Sequence, residues 1–286
     1  MSKLSRTCAT AIAICGILAI AAVQLAVVFG TIGKTDDRIT LIKVGLCVLQ
    51  VIWTLSWIFI IRRVMAAEYE CTVRVLDEQC DPEAFLEAQR RDYKNACSIR
   101  KIDCESRADG VAARINQAVA LSFAGRHTEA IGEIDSILAI PVDDSKRSGQ
   151  RLRCRCHIFR AVFLAGRNGD GDIAAAREHI RKAGEHLRAV GQADGALSGE
   201  IIRAGYTVDA VEGRNPEAAL EYFGRYLERA SVVRTEAACR YQLALIHRQL
   251  GDTANERAQL EAVARTAPKA YIGKQAAARL AGLSAE

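Results

Sequence analysis

Two charge-free runs open the chain, 7–33 and 44–61, and beyond Val64 apolar and charged positions recur with the period of amphipathic helices. A helix rising ~1.5 Å per residue would carry either run across a ~30 Å hydrocarbon core. The pattern therefore predicts spans over 8–30 and 42–61, joined by a polar stretch, 34–43, too short to form a domain. The expected unit over 1–63 is a two-helix transmembrane hairpin. Lys3, Arg6, Arg62 and Arg63 flank its outer ends, against Lys34, Arg38 and Lys43 at the connecting loop. By the distribution of basic residues both termini face the cytoplasm, which makes the expectation an integral protein of a bacterial-type plasma membrane. Ala9 and Ala13, and Ala22 and Ala26, are small residues four apart that suit close helix approach.

No Pro or Gly interrupts 62–80, so the helix of the second run is expected to continue through it. Asp81-Pro82-Glu83 then reads as a new helix start: Asp accepts from an orphan backbone N–H, Pro at the first helical position loses nothing, and Glu suits the positive end of the dipole. Phe85 and Leu86 mark its apolar side, within a juxtamembrane helical segment over 64–109. From 110 onward, helix, glycine turn and second helix recur four times, with turn glycines Gly125, Gly166, Gly213 and Gly251 about 40 residues apart. In the first pair Ala118, Ala130, Ile134 and Ile137 give an apolar face that one pair cannot bury alone, so the pairs must stack. The stretch 271–283 reads as a capping helix, with Gly273, Lys274 and Gln275 toward solvent and Leu280 inward. Strands have little support, and the fold class is all-α: a transmembrane hairpin followed by an α-α superhelical repeat array over 110–286.

These pairs resemble the tetratricopeptide-repeat (TPR) family, in which a turn Gly is followed five residues on by an Ala and about seventeen residues on by a helix-ending Pro. Gly125, Ala130 and Pro141 match with the Pro one residue early, Gly213 and Ala218 match, and Gly251 and Pro268 match with Glu256 in place of Ala. The second pair departs most, because its turn, GRNGDGD, is lengthened, and the family's Trp is absent throughout. The resemblance covers about 110–268 and implies a concave groove that binds a protein or peptide. Its groove-facing positions, counted back from each turn Gly, are Asn116; Arg153, His157 and Arg160; Arg203; and Gln242. Arg153, His157 and Arg160 form a basic stripe on one helix face, suited to carboxylates or a phosphorylated segment, so an acidic segment is among the expected partners. The family's chaperone-tail binders use a basic residue ten before the turn Gly and an Asn four later. The pairs here are Ile115 and Val119, Cys156 and Arg160, Arg203 and Thr207, and Tyr241 and Leu245, so only Arg203 matches and that function is not carried over.

Residues 1–63 hold seven basic and two acidic residues, which accounts for the whole net charge of +5. The remainder is balanced and lacks the basic excess of a nucleic-acid binder. Seven cysteines beyond the spans, with no framework spacing, point to a reducing compartment. Gly33-Lys34-Thr35 looks like a phosphate loop, but Val28 stands where its first Gly belongs. Cys154, Cys156 and His157 carry metal-ligand chemistry, yet on a helix Cys156 leaves the face that the other two share. His179 and His186 share another face, on a charged helix. No catalytic signature is present, and no catalytic residue, metal site or cofactor is expected. The reading is a membrane-anchored adaptor that holds a protein or peptide partner. The alternatives are a membrane-complex subunit in which the hairpin, with Gln24 and Gln50 at depth, is the working element, and a metal or redox sensor built on Cys154, Cys156 and His157.

Overall fold

The computed structural model describes residues 37–100, 108–190 and 194–284. Among them the chain is helical without a strand, as the periodicity requires. The helices are α1 (Asp37–Asp77), α2 (Pro82–Arg100), α3 (Ala108–Phe123), α4 (His127–Leu138), α5 (Arg147–Arg167), α6 (Asp172–Val190), α7 (Gly195–Glu212), α8 (Pro216–Leu227), α9 (Val233–Gln249), α10 (Thr253–Thr266) and α11 (Tyr271–Leu283). The chain divides into two units, Met1–Cys71 and Thr72–Glu286.

In the first unit the described structure is the leading part of α1. Its hydroxyls turn back on their own helix: Thr54 Oγ1 donates to the Gln50 carbonyl at 2.9 Å and Ser56 Oγ to the Ile52 carbonyl at 2.8 Å. Trp53 and Trp57 meet edge to face, and the Arg63 guanidinium lies 5.9 Å from the Phe59 ring centre. Among the described residues no helix is long and apolar enough to cross a membrane. This overturns the integral-membrane localisation and the span expected over 42–61. The charge-free run is only a part of a 41-residue helix, whose other turns carry Arg38 and Lys43 on one side and Arg62, Arg63, Glu68 and Glu70 on the other. The span expected over 8–30 lies outside the described residues.

The second unit begins at Thr72, within the last turns of α1. As expected, the helix runs past 62 without a break, stopping at Asp77, and Asp81 caps α2 by accepting from the Ala84 N–H at 3.1 Å. Phe85 and Leu86 are buried in a core shared with Ile134, Ile137, Phe163 and Leu164. From α3 to α10 the helices pair antiparallel, and each pair lays its apolar stripe on the next. Ala118 and Ala130 are fully buried where α3 and α4 touch, and later cores gather around Phe223 and Ile246 and around Leu260 and Val263.

Three local expectations change. Gly166 is inside α5, and the turn of that pair is made instead by Asn168 and Gly171, both left-handed. Asn tolerates that conformation because its short amide bonds locally. In the next pair Ala219, not Ala218, is the buried small residue, because left-handed Asn215 lengthens the turn before Pro216 starts α8. Gly273 is buried rather than solvent-facing: a Cβ there would lie 1.9 Å from the Ala267 carbonyl oxygen, so only Gly admits the close approach of the preceding turn. Lys274 and Gln275 are exposed and Leu280 packs inward, as expected.

The pairs curl until the last helices meet the first. Arg234 Nε donates to Asp77 Oδ1 at 2.6 Å with its guanidinium 5.5 Å from the Phe123 ring centre, and Lys269 Nζ donates to Asp81 Oδ2 at 2.7 Å. Cys80 packs with Ala237, Ala267 and Ala270. Tyr271 lies on the α3–α4 turn, its ring edge-on to His127 at 5.2 Å, against the bare Cα of Gly125. The array is therefore closed along this seam.

Candidate functional site

Closure leaves a cavity of about 730 Å³ inside the second unit. The end of α3 and start of α4 supply Ser122 and His127, α7 supplies Arg203 and Thr207, and α9 supplies Arg234, Tyr241, Gln242 and Arg248. Tyr271 covers it from α11, and Phe223 and Tyr226 line it from α8.

Its electrostatics are one-sided. Four arginines line it and no Asp or Glu does. Two of them are neutralised from outside: Arg167 pairs with Asp172 and Arg234 with Asp77. Among the described residues no carboxylate pairs with Arg203 or Arg248. The field of Arg203 reaches the neighbouring Cys239 and Tyr222. Among the described residues two buried polar atoms in the lining also lack a partner, Gln242 Oε1 and His127 Nε2.

Ser122 Oγ and His127 Nδ1 are 3.2 Å apart in this lining, which raises the question of a nucleophile and its base. An activated pair needs a third group to orient the imidazole. Among the described residues the far nitrogen faces none, and burial, with Arg167 second, lowers the His127 pKa. The contact ties the end of α3 to the start of α4.

Of the six groove positions read from the sequence, the structure brings two into the cavity, Arg203 and Gln242. Asn116 is half-buried on α3, away from it. The basic stripe on α5 is consumed internally. Arg153 donates to the carbonyls of Leu138 and Ile140, which end α4, and reaches Asp144. Arg160 grips Asp135 with two hydrogen bonds and donates to His179 Nε2 at 2.6 Å. His157, 9% exposed, meets His179 nitrogen to nitrogen at 2.9 Å, and its other side stacks on His186 at 5.4 Å between ring centres. His186 Nδ1 in turn donates to Gln150 Oε1. The stripe is thus the joint between α4, α5 and α6.

That network fixes tautomers. Arg160 can only donate, so His179 Nε2 accepts and His179 Nδ1–H donates to His157 Nδ1. Both rings must then be neutral, and the pKa values of both are pushed down to about 4, first by burial and then by neighbouring positive groups.

Cys154 and Cys156 do not converge with His157. Cys154 enters the core with Ile158 and Ala183, Cys156 the one with Ile134 and Phe163. Burial raises their thiols to about 11 and about 12, which withholds the thiolate that metal binding or redox exchange needs. Among the described residues no group of three His, Cys, Asp or Glu is placed to hold a metal ion.

The residues that sequence reading missed are His127, Arg248 and the tyrosines. Arg248 shares a face with Tyr241 and Leu245 at i, i+4 and i+7 spacing, a signal present in the sequence. His127 and Tyr271 depend on the seam, for which no local signal exists. No family model matches the chain, and no curated protein or solved structure is similar to it.

Proposed function

We propose that the chain is a non-catalytic binding module, an adaptor whose TPR-like helical array holds a segment of a protein or peptide partner in its cavity. The observation that carries this reading is the lining itself: a concave, partly apolar space entered by Arg203 and by polar atoms that have no partner among the described residues. Concave sites with few convergent polar groups are where ligands bind, and unpaired buried polar atoms are costly unless something meets them. The fold agrees in kind, because stacked helical pairs build rigid surfaces and leave recognition to the side chains lining them.

A photo-reactive amino acid at Thr207, inside the cavity, and another at Glu261, exposed on α10, test this in living cells. A discrete cross-linked protein or peptide from position 207, absent from position 261, is the expected result. The same products from both positions, or none from 207, would sink the proposal.

A further inference from the structure

Resting on the cavity as the binding site, we infer that what it selects is an aromatic anion: a negatively charged group carried on a flat, apolar body. Three observations converge on this.

The first is charge. Beyond Val64 the chain carries as many acidic as basic residues, so the cavity's surplus is a local arrangement and not a reflection of a basic protein. Arg203 is half-buried on α7 and no carboxylate in the lining balances it. A guanidinium in a partly desolvated cavity attracts an anion more strongly than the same group in water, and offers it two parallel donors.

The second is shape. Tyr226, Tyr241 and Tyr271, with Phe123 and Phe223, turn aromatic surface toward the space. Rings pack best against other flat rings, offset or edge-on, as Tyr271 already does against His127. The volume, about 730 Å³, is that of a site for a compact organic molecule or a few side chains.

The third is the hydrogen-bond register. Gln242 Oε1 is an acceptor with no donor among the described residues, so it can take an N–H or O–H that a ligand carries beside its charge.

Two sources carry this chemistry: a free aromatic acid, and an acidic residue beside an aromatic one in a partner's segment. Calorimetry on the full chain separates them, using 2-naphthoate, the neutral 2-naphthalenemethanol, 2-naphthylmethylammonium and an acetyl-Glu-Phe-Glu amide peptide. Naphthoate is expected to bind at least ~10-fold tighter than the alcohol, the ammonium not at all. In Arg203→Gln that preference falls to near unity, whereas Arg203→Lys keeps it in part. Of the two anions, the one that binds tighter identifies the source. Equal binding of naphthoate and alcohol, or a preference that survives Arg203→Gln, overturns the inference while leaving the cavity as a site. Ala238→Trp fills the cavity wall and distinguishes the other failure. Naphthoate binding unchanged in that variant, or no binding of any probe to the unsubstituted chain, removes the cavity reading itself.

Discussion

Acidification tests the internal joint most directly. His157 and His179 face one another at 2.9 Å, and the single proton between them is directed by Arg160 from the far side. Charging either ring places a donor against a donor, or an imidazolium beside Arg160, Arg153 or Lys182. The folded state therefore refuses a proton that the unfolded chain accepts near pH 6.5. With the folded value depressed to about 4, the stability difference is absent above the unfolded pKa, grows as pH falls through 6.5, and levels off below about 4. A shift of this size corresponds to roughly 3 kcal/mol in full for His157, of which about 2 kcal/mol is lost by pH 5. Urea unfolding of the full chain at steps between pH 7 and pH 5 measures it. His157→Phe keeps a ring against His186 but cannot titrate, so it should lose about 2 kcal/mol less than the unsubstituted chain over that interval. Parallel losses, agreeing within about 0.5 kcal/mol, would refute the tautomer assignment.

Two further substitutions probe the ends of the array. Glu256 is 3% exposed and bonded by Arg279 Nε at 2.9 Å, so Arg279→Met strands a buried carboxylate and should cost about 3–5 kcal/mol in urea unfolding at pH 7, with Glu256→Ala in the same chain restoring much of it. Gly125→Ala sets an L residue at φ +84° with its Cβ 2.4 Å from the Tyr271 ring, and should cost about 1–3 kcal/mol by the same measurement. The steric part should vanish when Tyr271→Ala is combined with it, and a loss unaltered by that combination would remove Tyr271 from the seam.

The helices were legible because each carries one apolar stripe, and the start of α2 was legible because Asp81 and Pro82 can do little else. What the pattern could not resolve were the turns in which a residue other than Gly adopts the left-handed conformation. Asn168 displaced the expected turn from Gly166, and Asn215 moved the buried small residue to Ala219. Glu256 stands where the repeat pattern has Ala and is nonetheless buried, because Arg279 reaches it from α11. The site was legible only in part for a different reason. Arg153, His157 and Arg160 do share a face, but a face read from one helix does not say what covers it. Here α4 and α6 cover it, through Asp135 and His179. The seam is less legible still, since it sums small rotations over every pair and leaves no trace in any single one. The charge-free run at 44–61 shows the reverse limit: absence of charge over one stretch does not define where the helix that contains it begins or ends.

The placement of carboxylates explains why the cavity is left positive. Five acids of the second unit, of which Asp172, Asp194 and Glu256 are buried, pair with arginines between helices. Asp135 holds Arg160, Asp172 holds Arg167, Asp194 holds Arg151, Asp209 holds Arg177 and Glu256 holds Arg279. Each pair bridges neighbouring elements at positions where one free charge would oppose packing. The seam uses Asp77 and Asp81 in the same way. The carboxylates that build the closed array are thus committed to Arg or Lys across its joints, and releasing one to Arg203 would break a joint. Among the described residues no carboxylate is left to balance Arg203, which leaves that place to solution or a ligand. A ligand with an aromatic body meets the tyrosine surface as well, which a simple inorganic ion leaves wet.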